Sequence, residues 1–254
     1  MTIDVSLQEL FDTGAHFGHQ TKRWNPKMSE YIFGAEGGVH IFDLAKTKEA
    51  LETALEVLVK AGEKKESVIF VGTKKQAREK IAEIAKETGQ FYVNERWLGG
   101  TLSNFEQIKK SLKKLAQMKE DKETGAVNQF TKKERVLMDR EIDRLERFFG
   151  GLVGINELPK IIVVVDIRKE KGAIREANRL GITTLALVDS NCDPFEVDYP
   201  IPMNDDAVKA VHYVLNLMKD SYNSGKMGLS KKNPGRKSTK NTTSAKAKKE
   251  TTKK

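Results

Sequence analysis

Cysteine is almost absent from this chain. Cys192 is the only one in 254 residues, so no intrachain disulfide can form, and that usage suits a reducing cytoplasm. No apolar run approaches the ~20 residues needed to cross a bilayer, and no membrane partner is expected. The opening MTIDVSLQEL has no basic stretch ahead of an apolar one, so a secretory signal is not expected. Phosphate-binding glycine patterns are missing too. Gly72-Thr73-Lys74-Lys75 follows an apolar run and opens a helix, but it offers a single glycine and no Gly-Lys-Ser/Thr ending. Nothing resembles a nucleophile elbow, and Cys192 has no base beside it in sequence. No catalytic constellation, cofactor or small-molecule substrate is therefore expected. Asp166, Asp189 and Asp205-Asp206 fall near the ends of strands. They can hold a divalent cation or, more commonly, cap helix starts, as Asp205 is expected to do.

What the chain has in excess is positive charge, and it has it in one place. The formal charge is +9, which suggests an anionic partner. Residues 231–254 hold ten Lys and Arg against the single acid Glu250, whereas residues 1–230 hold 35 basic and 35 acidic side chains. Any nucleic-acid surface on the body is thus a local patch. Residues 228–254 are rich in Lys, Ser, Thr and Asn. With almost nothing apolar to bury, they cannot offset an ordering cost of about 1–2 kcal/mol per residue, and a disordered basic tail is expected.

Along the body, Ser6 and Glu9 form a capping-box pattern ahead of Leu7, Leu10 and Phe11, predicting a short helix. Residues 13–26 show no period and read as an ordered loop. Tyr31-Ile32-Phe33 and residues 39–44 read as strands around Gly37-Gly38, and a helix over 47–61 aligns Leu51, Leu55 and Leu58. Strands buried on both faces are predicted over 68–71, 161–165 and 183–188, with a short one over 91–93. Helices are predicted over 75–88, 171–180 and 205–219. This alternation predicts an open, doubly wound α/β fold with a mostly parallel sheet, Rossmann-like or flavodoxin-like, formed by residues 1–102 and 150–227. Residues 103–149 interrupt it. Phe105, Ile108, Leu112, Leu115 and Met118 recur at spacings of three and four, as do Met138, Ile142, Leu145 and Phe149 after a second capping box at Thr131 and Glu134. That pattern predicts an inserted helical hairpin with one narrow apolar seam.

Three segments suit RNA. The first, residues 14–27, interleaves cations and rings: His16, His19, Lys22, Arg23, Trp24, Asn25 and Lys27 with Phe17. Cations meet phosphates, while rings and guanidinium planes stack on unpaired bases. The same residues also fit a structured loop whose Trp24 and Phe17 fill a core edge, and spacing alone leaves both open. His16 and His19 lie three apart but have no third ligand nearby, so no metal is expected. The second segment carries Arg96, Trp97, Gly99, Gly100, Thr101 and Asn104. Its glycines allow close approach of the backbone, and donors at the next helix start can receive a phosphate, unless the glycines only turn the chain out of the sheet. The third is the lysine run Lys109, Lys110, Lys113 and Lys114, which can track an RNA backbone or form a solvated helix face.

Several motifs, in order, resemble one family. Residues 10–18 (LFDTGAHFG), 19–26 (HQTKRWNP) and 96–105 (RWLGGTLSNF), the stretch 159–182 (PKIIVVVDIRKEKGAIREANRLGI), 189–194 (DSNCDP) and 202–207 (PMNDDA) are similar to motifs of the bacterial small-subunit ribosomal protein family S-two. The resemblance covers roughly residues 3–222 and leaves the tail outside. It implies a Rossmann-like domain with a protruding coiled-coil hairpin, no enzymatic activity, and a structural place in the small ribosomal subunit. It further implies binding to small-subunit ribosomal RNA near the junction of head and body. Neighbouring ribosomal proteins are implied as partners, among them the large mRNA-binding S-one protein where the organism has one. By position, the first two segments match the family's motifs, and with the hairpin lysines they are the expected RNA contacts.

Overall fold

The computed structural model describes residues 5–232. Its centre is a five-stranded parallel sheet of β4 (Val68–Val71), β5 (Phe91–Val93), β6 (Ile161–Val165), β7 (Thr183–Val188) and β8 (Tyr199–Pro202), ordered β5-β4-β6-β7-β8. The order reverses direction between β4 and β6, as in doubly wound folds. Apolar runs form its centre because both faces are covered. Val68, Phe70, Val163, Val165, Leu185 and Leu187 point into one buried cluster. Ile69, Val71, Ile162, Val164, Ala186 and Val188 point into the other. Alternate residues of one strand thus serve opposite cores, which is why no polar alternation marks these strands.

The first face is covered by α2 (Leu44–Lys64), α3 (Arg78–Thr88) and α7 (Val208–Lys232). Helices α2 and α7 cross where each carries a glycine. A Cβ on Gly62 would lie 2.2 Å from the Tyr222 carbonyl oxygen, and one on Gly225 would lie 2.1 Å from that of Val59. No other residue permits that separation. The second face is covered by α6 (Lys171–Leu180) and by the base of a helical pair, α4 (Phe105–Glu123) and α5 (Lys132–Phe149). Along the pair Ile108, Leu115, Ile142, Leu145 and Phe149 are buried, and Phe105, Leu112, Met118 and Met138 are partly so. A full capping box at Thr131 and Glu134 starts α5, and Lys114–Glu141, Lys119–Glu146 and Lys122–Asp139 ion pairs join the two helices.

After the short α1 (Leu7–Asp12), capped by Ser6, a small antiparallel sheet of β1 (Phe17–Gln20), β2 (Ile32–Glu36) and β3 (Val39–Phe42) adopts the order β1-β3-β2. Gly37 and Gly38, both at positive φ, make the two-residue turn between β2 and β3.

Several expectations change, among them α2, which Asp43 caps so that it runs over 44–64 rather than 47–61 and ends β3 at Phe42. Residues 17–20 form a strand within the predicted loop, because β1 pairs with β3. Strand β8 was not predicted; Pro200 and Pro202 disguise it, and it ends the sheet as an edge strand where proline is tolerated. Helix α3 starts at Arg78 rather than 75, after a turn in which Ala77 N–H donates to Lys74 carbonyl oxygen. Finally, the last helix starts at Val208, so Asp205 does not cap it, and it runs past 219 to Lys232. The glycine crossing and the bond from Tyr222 Oη to Glu66 carbonyl oxygen hold it there. Residues 228–232, assigned to the tail, are therefore helical, while the rest of the expected disordered tail lies outside the described residues.

Candidate nucleic-acid interface

The first segment is tied down by its backbone. His19 N–H donates to Ser190 Oγ (2.8 Å), Thr21 N–H to Gly38 carbonyl oxygen (3.0 Å) and Asn25 N–H to Ser190 carbonyl oxygen (2.7 Å). Asn25 Oδ1 then accepts from Lys27 N–H ahead of Pro26–Tyr31, a 3-10 turn. On this frame Lys22 and Arg23 are exposed, and neither has an ion pair among the described residues. Trp24 is 37% exposed and lies tilted against His40, with ring centres 5.0 Å apart. Lys27 is paired with Asp193 at 2.5 Å and sits beside the exposed ring of Phe195.

The two histidines part company. His16 stacks on Phe11 at 4.4 Å, and burial lowers its pKa. His19 turns inward, its Nδ1 2.9 Å from Asp189 and its Nε2 3.8 Å from Asp206. The bond to Asp189 raises its pKa against the opposing effect of burial. The ligand candidates missing from the local sequence are thus supplied to His19 alone by two distant acids. His19, Asp189 and Asp206 offer ligand atoms within 4.8 Å of one another and could hold a divalent cation.

The second segment folds around one carboxylate. Glu176 on α6 accepts from the backbone N–H groups of Gly100 (2.8 Å), Leu102 (2.9 Å) and Ser103 (3.0 Å), and from Trp97 Nε1 and Ser103 Oγ, each at 3.2 Å. Burial works to raise its pKa, but these donors outweigh it and hold the carboxyl below its ordinary range. These donors of residues 100–103, just ahead of α4, are therefore occupied by a carboxylate, while the helix itself starts at Phe105. Trp97 and Thr101 are buried, whereas Arg96, Gly99 and Asn104 are exposed. In the third group, Lys109 pairs with Glu106 and Lys114 with Glu141. Lys110 and Lys113 are exposed and have no ion pair among the described residues. A stripe on α5 was missed: Lys133, Arg140, Arg144 and Arg147 recur at spacings of seven, four and three, exposed and away from the buried Ile142 and Leu145, with Arg144 paired to Glu141 and Arg147 to Glu95. The helical period held that signal.

At the carboxyl ends of β4 and β6, where doubly wound folds bind phosphates, the chain has filled its own crevice. Glu170, 2% exposed, accepts from Thr73 N–H (3.1 Å) and Thr73 Oγ1 (2.5 Å). Lys74 Nζ lies 2.6 Å from both Asp205 and Asp206 and 3.7 Å from Asp166. Burial first, then the charges of Asp189 and Asp166, push the Asp205 carboxyl up to about 8. Cys192 is buried beside these acids, and its thiol is pushed up to about 12 by that burial and their charge. The crevice presents carboxylates where a nucleotide phosphate would require donors.

The α/β body thus fills its own crevice and displays cations on loops and helices. A family model described as Ribosomal protein S2 matches residues 10–225. The small ribosomal subunit protein uS2 of Chloroflexus aggregans is 48% identical over 217 residues, 85% of this chain and 91% of that protein. The uS2 of Geotalea uraniireducens is 44% identical over 218 residues (86% and 85%), and that of Roseiflexus sp. 48% over 217 residues (85% and 83%). The chain belongs to the ribosomal protein S2 family. Its role is structural, within the small ribosomal subunit in the cytoplasm, and it is not an enzyme. Among the described residues, no helix is long and apolar enough to cross a membrane.

Proposed function

We propose that this chain binds small-subunit ribosomal RNA near the head–body junction and supports docking of the large mRNA-binding S-one protein. In this reading residues 1–102 and 150–227 are the α/β domain, 103–149 are a projecting coiled-coil hairpin, and the basic residues beyond add diffuse attraction. The RNA contacts are the exposed members of the first two segments together with the cations of α4 and α5. One observation carries the reading: Lys22 and Arg23 stand exposed and, among the described residues, without ion pairs on a backbone fastened at 19, 21 and 25. Little ordering entropy is left to lose there when a guanidinium meets a phosphate, and Trp24 beside them offers a face to a base. Protein docking finds support elsewhere. Phe11, His16 and Phe17 form a row of rings at β1, with both phenylalanines exposed, and Phe33 on β2 is 81% exposed; exposed rings suit a protein better than a phosphate.

The test is incorporation into small subunits in competition with wild type at physiological salt. Arg23→Ala with Trp24→Ala weakens incorporation tenfold or more, about 1.4 kcal/mol, while circular dichroism and melting show a folded chain. Equal competition by the folded double variant makes this loop structural only.

A further inference from the structure

The acid that organises the second segment lies on a different element. Glu176 reaches residues 73 to 79 positions away in sequence, and its five bonds run from 2.8 to 3.2 Å. A carboxylate has about four lone-pair sites, so this one is saturated by the segment that launches α4. The returning end of the helical pair is fastened by a second acid. Glu95 accepts two bonds of 3.0 Å from Arg147 at the end of α5, and pairs with Arg78 on the body at 3.2 Å. Between the two fastenings the pair meets the body through Trp97, Leu102, Phe149, Leu152 and Ile155. Apolar packing is non-directional, whereas hydrogen bonds demand near-linear geometry. The direction in which the pair leaves the body is therefore set by the carboxylates more than by the apolar base.

We propose that Glu176 is a positioning residue for RNA binding: it locks the outgoing end of the helical pair to α6 and so fixes the spacing between the cations of α4 and α5 and those of residues 22–23. This rests on the reading that both groups touch RNA. RNA engaged at two points gains from the second only if the spacing matches its own, and a loosened arm loses that gain without losing a contact.

The sharpest variant is Glu176→Gln. It keeps the volume but sets an NH2 against backbone N–H groups. A space-filling role predicts no effect, whereas the positioning role predicts loss. Spin labels go on the full chain at Gln129→Cys, in the turn between α4 and α5, and at Lys60→Cys on α2. Cys192 stays in place, because a buried thiol with a pKa near 12 is unreactive. The distance distribution is narrow in the parent and at least twice as wide in Glu176→Gln, and incorporation into small subunits falls at least fivefold. Ser103→Ala, which removes only a hydroxyl donor, widens it less and serves if the first variant folds poorly. An unchanged distribution in both variants overturns the positioning role whatever RNA binding does. A widened distribution with unchanged incorporation overturns the reading beneath it, that the pair touches RNA, so the two failures are distinguishable.

Discussion

Gly225→Ala sets two effects of opposite sign against each other. Residue 225 lies inside α7, and exchanging glycine for alanine in a helix interior gains about 1 kcal/mol by propensity. Here the added methyl would stand 2.1 Å from the Val59 carbonyl oxygen and 2.9 Å from Glu63 N. Both are backbone atoms, so no side chain can move aside. Restoring an ordinary carbon–oxygen contact of ~3.3 Å means parting α2 and α7 by roughly 1.2 Å. A gap of 0.5–1 Å already forfeits about a quarter to a half of each dispersion well it opens. The side chains affected include Leu55, Leu58, Val214, Met218 and Tyr222, none more than 3% exposed. Overpacking costs typically ~1–3 kcal/mol, and with backbone as the obstacle the upper end applies, for a net loss of about 2 kcal/mol. In a domain of this size that lowers Tm by roughly 4–8 °C. Gly228→Ala is the internal control, since nothing lies within 4 Å of a Cβ there, and it raises stability. Gly62→Ala with Gly225→Ala costs less than the two single losses together, because one separation relieves both clashes. Thermal unfolding followed by circular dichroism reads all four proteins. A Tm for Gly225→Ala that rises alongside that of Gly228→Ala refutes the close crossing.

Two further perturbations probe the polar interior. Because the Glu176 carboxyl sits below its ordinary range in the folded chain, its contribution is fully present above the usual glutamate value of about 4.3 and is lost as pH falls through the folded one. In a Trp24→Phe background, Trp97 fluorescence shows an acid transition that Glu176→Gln abolishes; a transition surviving that change assigns it elsewhere. Lys74→Met removes the cation 2.6 Å from Asp205, which is 2% exposed, and costs about 3 kcal/mol at pH 9 by the measure of broken buried pairs. With the Asp205 carboxyl at about 8 or higher, the loss shrinks at pH 6, where protonation removes the stranded charge. Equal loss at both pH values shows that this charge is not the cause.

Sequence reasoning reads local periodicity well and long-range closure poorly. Ile161–Val165, Lys171–Leu180 and Thr183–Val188 were each legible end to end, because a continuous apolar run or a glycine stop is a local signal. Strand β8 was hidden because prolines argue against a strand unless its edge position is already known. The end of α7 was hidden because Ser221, Asn223 and Gly225 look like a fading helix until α2 is seen beneath them. At the site, Lys22, Arg23 and Arg96 were legible as exposed cations. The partners of His19 were not, lying 170 or more positions away in Asp189 and Asp206, and neither was Glu176, whose own surroundings suggest only a helix surface. Trp97 and Thr101, chosen from a motif, are buried; a motif does not separate residues that touch a partner from those that hold the motif's shape.

The outer strand of the large sheet bears on the time before assembly. Before a chain is assembled its sheet edges are uncovered, and an open β-edge is a template on which copies join into aggregates. In β8, Pro200 lies opposite Ala186 and Pro202 opposite Val188. In a strand, alternate backbone nitrogens face the same side. Tyr199 and Ile201 serve the ladder to β7, and the nitrogens turned outward belong to the two prolines, which carry no hydrogen to donate. A second chain arriving at this border finds no donors at the prolines, and the Pro202 carbonyl oxygen already accepts from Thr47 Oγ1 (2.6 Å), so it cannot zip onto it. The two residues that disguised the strand thus also insulate this edge of the five-stranded sheet.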